Sequence, residues 1–105
     1  MSELHGHLDV LVLAVLADGS AHGYAVIEEL RRRSAGTFDL PEGTVYPALH
    51  RLEAAGFLAS GWEIAGGRRR RVYRLTRGGR GRLQRGRSDW AAFSGAIAAV
   101  VGETR

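Results

Sequence analysis

Apolar residues recur at spacings of three and four from the beginning of the chain. Leu4, Leu8, Leu11, Val12, Val15 and Leu16 form one stripe, which predicts an amphipathic helix from about Leu8 to Ala17. Asp18-Gly19-Ser20 breaks it. A second stripe, Gly23, Val26, Ile27 and Leu30, predicts a helix over His22 to Ser34 that stops at Gly36. Arg31, Arg32 and Arg33 fall in its last turn, where cations complement the helix dipole. Thr37 to Leu40 reads as an extended link. Pro41 then marks the start of a third helix, Glu42 to Ala55, which ends at Gly56. On a helical wheel Val45, Leu49 and Leu52 share one side. Gly43, Pro47, His50, Arg51 and Ala54 point the opposite way, with Thr44 and Tyr46 on the flanks.

The period then changes. Phe57 to Ala65 and Arg69 to Thr76 are rich in aromatic and β-branched residues and are separated by Gly66-Gly67, which predicts a β-hairpin. Beyond Thr76 the segment is basic and glycine-rich, and glycine carries a propensity cost in a helix interior. The apolar repeat nevertheless resumes: Leu83, Trp90 and Ile97 are seven apart, and Phe93 and Val100 follow the last two by three. That is a short heptad-like seam on a terminal helix. The fold class is therefore mainly α with a β-hairpin: a winged helix-turn-helix over 1–76 and a C-terminal dimerisation helix over 77–105, together one compact unit. The seam exceeds what a small three-helix core can cover, which predicts a homodimer with Leu4, Leu8 and Leu11 opposite Leu83, Trp90, Phe93, Ile97 and Val100.

Charge sharpens the picture. Residues 1–65 carry nine acids against four arginines, whereas 66–105 carry eleven arginines against two acids. Ten of those arginines lie between Arg68 and Arg87 with no acid among them, the footprint of a polyanion partner. Every one of the 15 basic residues is arginine, whose fork suits phosphates and guanine edges. There are no cysteines, which excludes disulfides and thiolate chemistry. No apolar run is long enough to cross a membrane, and the first ten residues lack the pattern of a secretory signal, so a cytoplasmic location is expected. Neither a nucleophile elbow, a phosphate loop nor paired carboxylates point to an enzyme. His5 and His7 are two apart with no third clustered ligand, so neither a metal nor a cofactor is expected.

Three helices followed by a basic hairpin suit duplex DNA: the third helix enters the major groove, and the Gly66-Gly67-Arg68-Arg69-Arg70-Arg71 tip reaches flanking phosphates. The runs LAVLADGSAHGYAVIEEL, PEGTVYPALHRLEAAGFL and GRRRRVYRLTRGG resemble PadR-type winged-helix transcriptional regulators over most of the chain, from about Leu8 to Gly81. The resemblance implies a homodimeric repressor on a palindromic operator, with the last helix packed against the partner's first, and in some members a flat aromatic inducer at the dimer interface. It implies DNA contacts from Thr44, Tyr46, Pro47, His50 and Arg51, from His22, Gly23 and Tyr24 near a phosphate, and from Arg68, Arg69, Arg70 and Arg71 in the wing. Two features depart from the family pattern. The wing lacks a proline among its basic residues, and Arg77-Gly78 stand where acids usually precede the glycine, a departure that implies a frayed start to the last helix.

Individual residues divide between packing and binding. Tyr24 is balanced between a phosphate contact and a cap on the core. Tyr73 and Leu75 read as core, Trp62 as packing the hairpin onto the helices, and Arg31 to Arg33 as a solvated helix end. Trp90 sits among small residues and is a candidate both for seam packing and for stacking on a ligand. A ligand-sensing module for drug-like aromatics, or a protein-interaction domain without DNA, are the alternatives to a DNA-binding regulator.

Overall fold

The computed structural model describes residues 3–102, with side chains from His7 onward. The elements in order are α1 (Glu3–Ala17), β1 (Ala21–His22), α2 (Gly23–Arg33), α3 (Glu42–Ala54), β2 (Leu58–Ala65), β3 (Arg68–Leu75) and α4 (Arg77–Val101). α1 begins at Glu3, earlier than the expected start at about Leu8. It is also buried on more than one side: Leu13, off the stripe, is as fully enclosed as Val12. The reason is its central position, with α2, α3, β3 and α4 all packed around it.

The short strand β1 was not anticipated. Two residues are too few to show a period, and it exists by pairing with β3, Ala21 opposite Tyr73 and His22 opposite Val72. The sheet is antiparallel in the order β1-β3-β2. β2 and β3 run in continuous register from Leu58 opposite Leu75 out to Ala65 opposite Arg68. Gly66 and Gly67 close the hairpin with φ of +60° and +76°, both left-handed, the two-residue turn whose twist matches its strands. At the base of the hairpin Leu58, Tyr73 and Leu75 join the helical core, as expected for Tyr73 and Leu75.

The start of α4 is ordered rather than frayed. Thr76 Oγ1 accepts a 3.0 Å hydrogen bond from the Gly79 N–H and donates one of 2.7 Å to the Gly56 carbonyl. Its glycines are contact points. A Cβ on Gly79 would lie 2.1 Å from the Phe57 carbonyl oxygen, and one on Gly86 would lie 2.4 Å from Val10 of α1. α4 thus crosses α1 at Gly86, with Leu83 buried in the shared core. Residues beyond Gly86 on α4 are exposed or half-buried, and the molecule measures 54 Å along its longest axis. No helix among the described residues is long and apolar enough to cross a membrane.

This packing corrects part of the expected seam. Leu8 and Leu83 are 2% and 3% exposed and belong to the chain's own core, so they are not free to face a partner. Leu11 packs against the same core from a partly buried position. The side chains of Leu4 and His5 lie outside the described residues. What remains at the surface of α4 is Trp90, Phe93, Ile97, Val100 and Val101.

Candidate nucleic-acid interface

α3 buries Val45, Ala48, Leu49 and Leu52 and turns Pro47 and His50 to solvent, with Thr44 half-buried at the margin. Pro47 sits early enough in the helix that its missing N–H costs little. Two residues expected on this face are committed elsewhere. The Arg51 guanidinium points to α1, where Nη2 lies 2.5 Å from Asp9 Oδ1, so it ties two helices together. The Tyr46 ring lies on α2: a Cβ on Gly23 would meet its Cε1 at 2.4 Å. Gly23 is accordingly buried, covered by that ring.

His22 also has a structural task. Its Nδ1 accepts a 3.3 Å hydrogen bond from the Ala25 N–H and caps α2. Burial first, then the positive charge of Arg70, lower its pKa below the ordinary value, and Glu63 partly offsets them. The unfolded chain therefore binds the proton better, so the stability His22 contributes is present above its ordinary pKa and lost as pH falls through that value toward the folded one. Wild type is expected to lose melting temperature between about pH 7 and pH 5. His22→Asn, which keeps a capping oxygen, should flatten that dependence. Equal slopes in the two thermal-melt series would remove His22 from this role.

Tyr24 is exposed and does not cap the core; the Glu28 carboxylate near its hydroxyl chiefly raises its pKa. At the other end of α2, Arg31 pairs with Glu28, Arg32 with Glu29, and Arg33 with both Glu29 and Asp18. Arg32 and Arg33 hold the Glu29 carboxyl down to about 2. These three cations are thus balanced by acids beside them.

The hairpin is different. Arg68, Arg69 and Arg71 are exposed and Arg70 is half-buried, along one strand that alternates between faces. Glu53 in α3 accepts a 2.6 Å hydrogen bond from Ser60 Oγ and lies 3.7 Å from Arg71 Nη2, so the hairpin is pinned to the last turns of α3. Trp62 does not pack the hairpin onto the helices. It is 59% exposed, with the Arg69 guanidinium carbon 4.4 Å and that of Arg71 5.1 Å from its ring centroid. The exposed α3 face and a basic hairpin held beside it make the geometry that places a helix in a groove and a wing on the flanking backbone.

The family model for the transcriptional regulator PadR-like family matches residues 12–85. The chain belongs to this family. Among curated proteins it is 44% identical over 72 residues to the transcriptional regulator Rv3488 of Mycobacterium tuberculosis, a match covering 69% of this chain and 64% of that one. The chain thus spans less than two thirds of that relative's length. Among solved structures, a transcriptional regulator from Clostridium thermocellum superposes with a TM-score of 0.84 at 26% identity, covering 91% of this chain and 94% of that one. A PadR family transcriptional regulator from Eggerthella lenta superposes with a TM-score of 0.81 at 30% identity, covering 95% and 86%.

The match spans most of the core, α3, the wing and about the first third of α4, so this PadR-like regulator has the winged-helix fold with a C-terminal helix that its sequence motifs imply. Trp90 and Phe93 of α4 cluster with His7 of α1, the His7 and Trp90 rings meeting edge-on at 5.3 Å. Beside them an apolar cleft of about 280 Å³ is lined by Val10, Leu11, Phe38, Gly86 and Arg87 together with the His7 and Trp90 rings. Among the described residues no three His, Cys, Asp or Glu side chains cluster as a metal site would require.

Proposed function

We propose that this PadR-like regulator is a homodimeric repressor of its own or a neighbouring operon, binding a palindromic duplex in the cytoplasm. The observation that carries the reading is the pairing of an exposed α3 face, Thr44, Pro47 and His50, with the arginines of the wing fastened to the same helix through Glu53. Thr44, Pro47 and His50 read base edges in the major groove. Arg68, Arg69, Arg70 and Arg71 neutralise phosphates on either side. Tyr46, Gly23 and His22 support these elements from within the domain, Arg51 pairs with Asp9 of α1 at the surface, and Tyr24 stands near the backbone. Repression follows from occupancy, since a dimer covering a promoter segment excludes polymerase. The direct test is binding of the full chain to labelled duplex at low and rising salt. Tight, salt-sensitive binding supports the reading; no binding at low salt removes it.

The dimer rests on the half-exposed stripe of Trp90, Phe93 and Ile97, continued by Val100. An apolar stripe of this kind is what a soluble monomer rarely leaves to water. Phe93→Asp/Ile97→Asp is expected to convert a sedimenting dimer into a folded monomer. A wild-type chain that sediments as monomer at micromolar concentration contradicts this.

The cleft beside Trp90 favours a second reading, in which a planar aromatic inducer binds at the seam and biases the angle between the two winged units. Such a ligand releases DNA only by binding the DNA-incompetent dimer better. In a Trp62→Phe background its binding should quench Trp90, and an unresponsive dimer across a panel of planar cationic dyes would dismiss it.

A further inference from the structure

We propose that Trp62 is a positioning residue for DNA binding, holding Arg69 and Arg71 as a preformed pair on one face of the wing. Strand parity puts these residues together. Trp62 is the register partner of Arg71, and Ile64 that of Arg69, so Trp62, Ile64, Arg69 and Arg71 all project from the same face. Toward the base of the hairpin that face is core, with Tyr73 and Leu75; toward the turn it leaves the body, yet it carries a tryptophan. A side chain this exposed contributes little to the core. What it touches is two guanidiniums, at 4.4 and 5.1 Å, inside the range where an indole face attracts a cation.

Arg68, Arg69, Arg70 and Arg71 are consecutive, and without a platform such like-charged, rotamer-rich chains spread apart. Ordering them on DNA then weakens binding. Stacking on Trp62 removes part of that cost beforehand. The two arginines differ in what else they meet. Arg71 lies 3.7 Å from Glu53 of α3 and so links the indole to the reading helix. Arg69 has its guanidinium over the ring and is exposed, so it presents its charge outward. Glu53, Arg71, Trp62 and Arg69 thereby form a chain from α3 to the outer wing, setting where a phosphate is met relative to the base edges.

The inference rests on the DNA-binding reading, and its test separates the two. The full chain, Trp62→Leu, Trp62→Phe, Arg69→Ala/Arg71→Ala and the corresponding Trp62→Leu triple variant are titrated with a short labelled duplex, and each is melted without DNA. Trp62→Leu is expected to weaken binding about threefold to tenfold per wing with an unchanged melting curve. Trp62→Phe, which retains a ring, should recover most of that loss. In the Arg69→Ala/Arg71→Ala background, Trp62→Leu should add nothing. A merely structural role predicts the opposite: a lowered or absent melting transition, with the same loss in both backgrounds, and that result overturns the proposal. Wild type that binds duplex no better than Trp62→Leu overturns this inference alone, whereas wild type that binds no duplex at low salt overturns both.

Discussion

Replacing Gly79 with Ala is expected to destabilise the fold by about 3 kcal/mol, at the upper end of what overpacking a tight contact costs. The added Cβ would lie 2.1 Å from the Phe57 carbonyl oxygen and 2.8 Å from Leu75 Cδ1. The carbonyl cannot simply retreat, because it accepts a 3.1 Å hydrogen bond from the Thr76 N–H where β3 turns into α4. Relief requires α4 to move away from the Phe57 backbone, which loosens the Thr76 cap and the seat of Leu83. For a domain of this size the loss corresponds to roughly 12–20 °C in melting temperature. Gly81→Ala is the control. Nothing but the flexible end of Arg85 lies near its Cβ, at 3.8 Å, so it should gain up to about 1 kcal/mol from better helix propensity. Identical melting of the two variants would mean that α4 is not held at this point.

The largest effect on binding is expected from the wing. Arg69→Ala/Arg70→Ala should weaken binding to matched and random duplex alike, and should flatten the log–log salt dependence by roughly 0.9 for each phosphate no longer neutralised. His50→Ala should behave otherwise. It is expected to cost about 1–3 kcal/mol per half-site on a selected sequence, with little change on random DNA. Arg51→Ala removes an exposed pair with Asp9, so it is expected to cost at most about 1 kcal/mol of stability and to leave base preference intact. The ratio of specific to non-specific affinity therefore separates the three variants. If Arg51→Ala abolished base preference while His50→Ala did not, the reading face of α3 would be assigned to the wrong residues.

The difference between His50 and Arg51 shows where the sequence was legible and where it was not. The wheel for α3 correctly turned Val45, Leu49 and Leu52 inward, because burial follows the helical period. The family resemblance set Arg51 and Tyr46 toward DNA, and the wheel, which knows only angles, had Arg51 on the outer face and Tyr46 on its flank. A wheel does not know that Asp9 of α1 and the bare backbone of Gly23 lie within reach, both of which depend on how the helices cross. The same limit explains α4. Its glycines carry a cost by propensity, and the compensation, close approach to Phe57 and Val10, exists only in the folded chain. Leu83 continued a heptad on paper but lies before the Gly86 crossing, inside the core, whereas Trp90 and Ile97 lie beyond it. The hairpin was legible because Gly66-Gly67 specifies a turn locally. Trp62 was misread because apolar character usually implies burial. The signal that could have placed it was parity: counting outward from the turn sets it opposite Arg71, among charges.

In the proposed homodimer, two winged units related by a two-fold axis are expected to present their α3 helices to one side of the duplex about one helical turn, or roughly 34 Å, apart. A hydroxyl-radical footprint of the full chain, on duplex selected by the protein from a random-sequence pool, tests this most directly. The expected result is an inverted-repeat site with two symmetric protected stretches one turn apart, each extended at its outer edge by a wing, and loss of those outer edges in Arg69→Ala/Arg70→Ala. Selection that enriches no inverted repeat, or a uniform footprint unchanged by removing the wing arginines, would contradict the account.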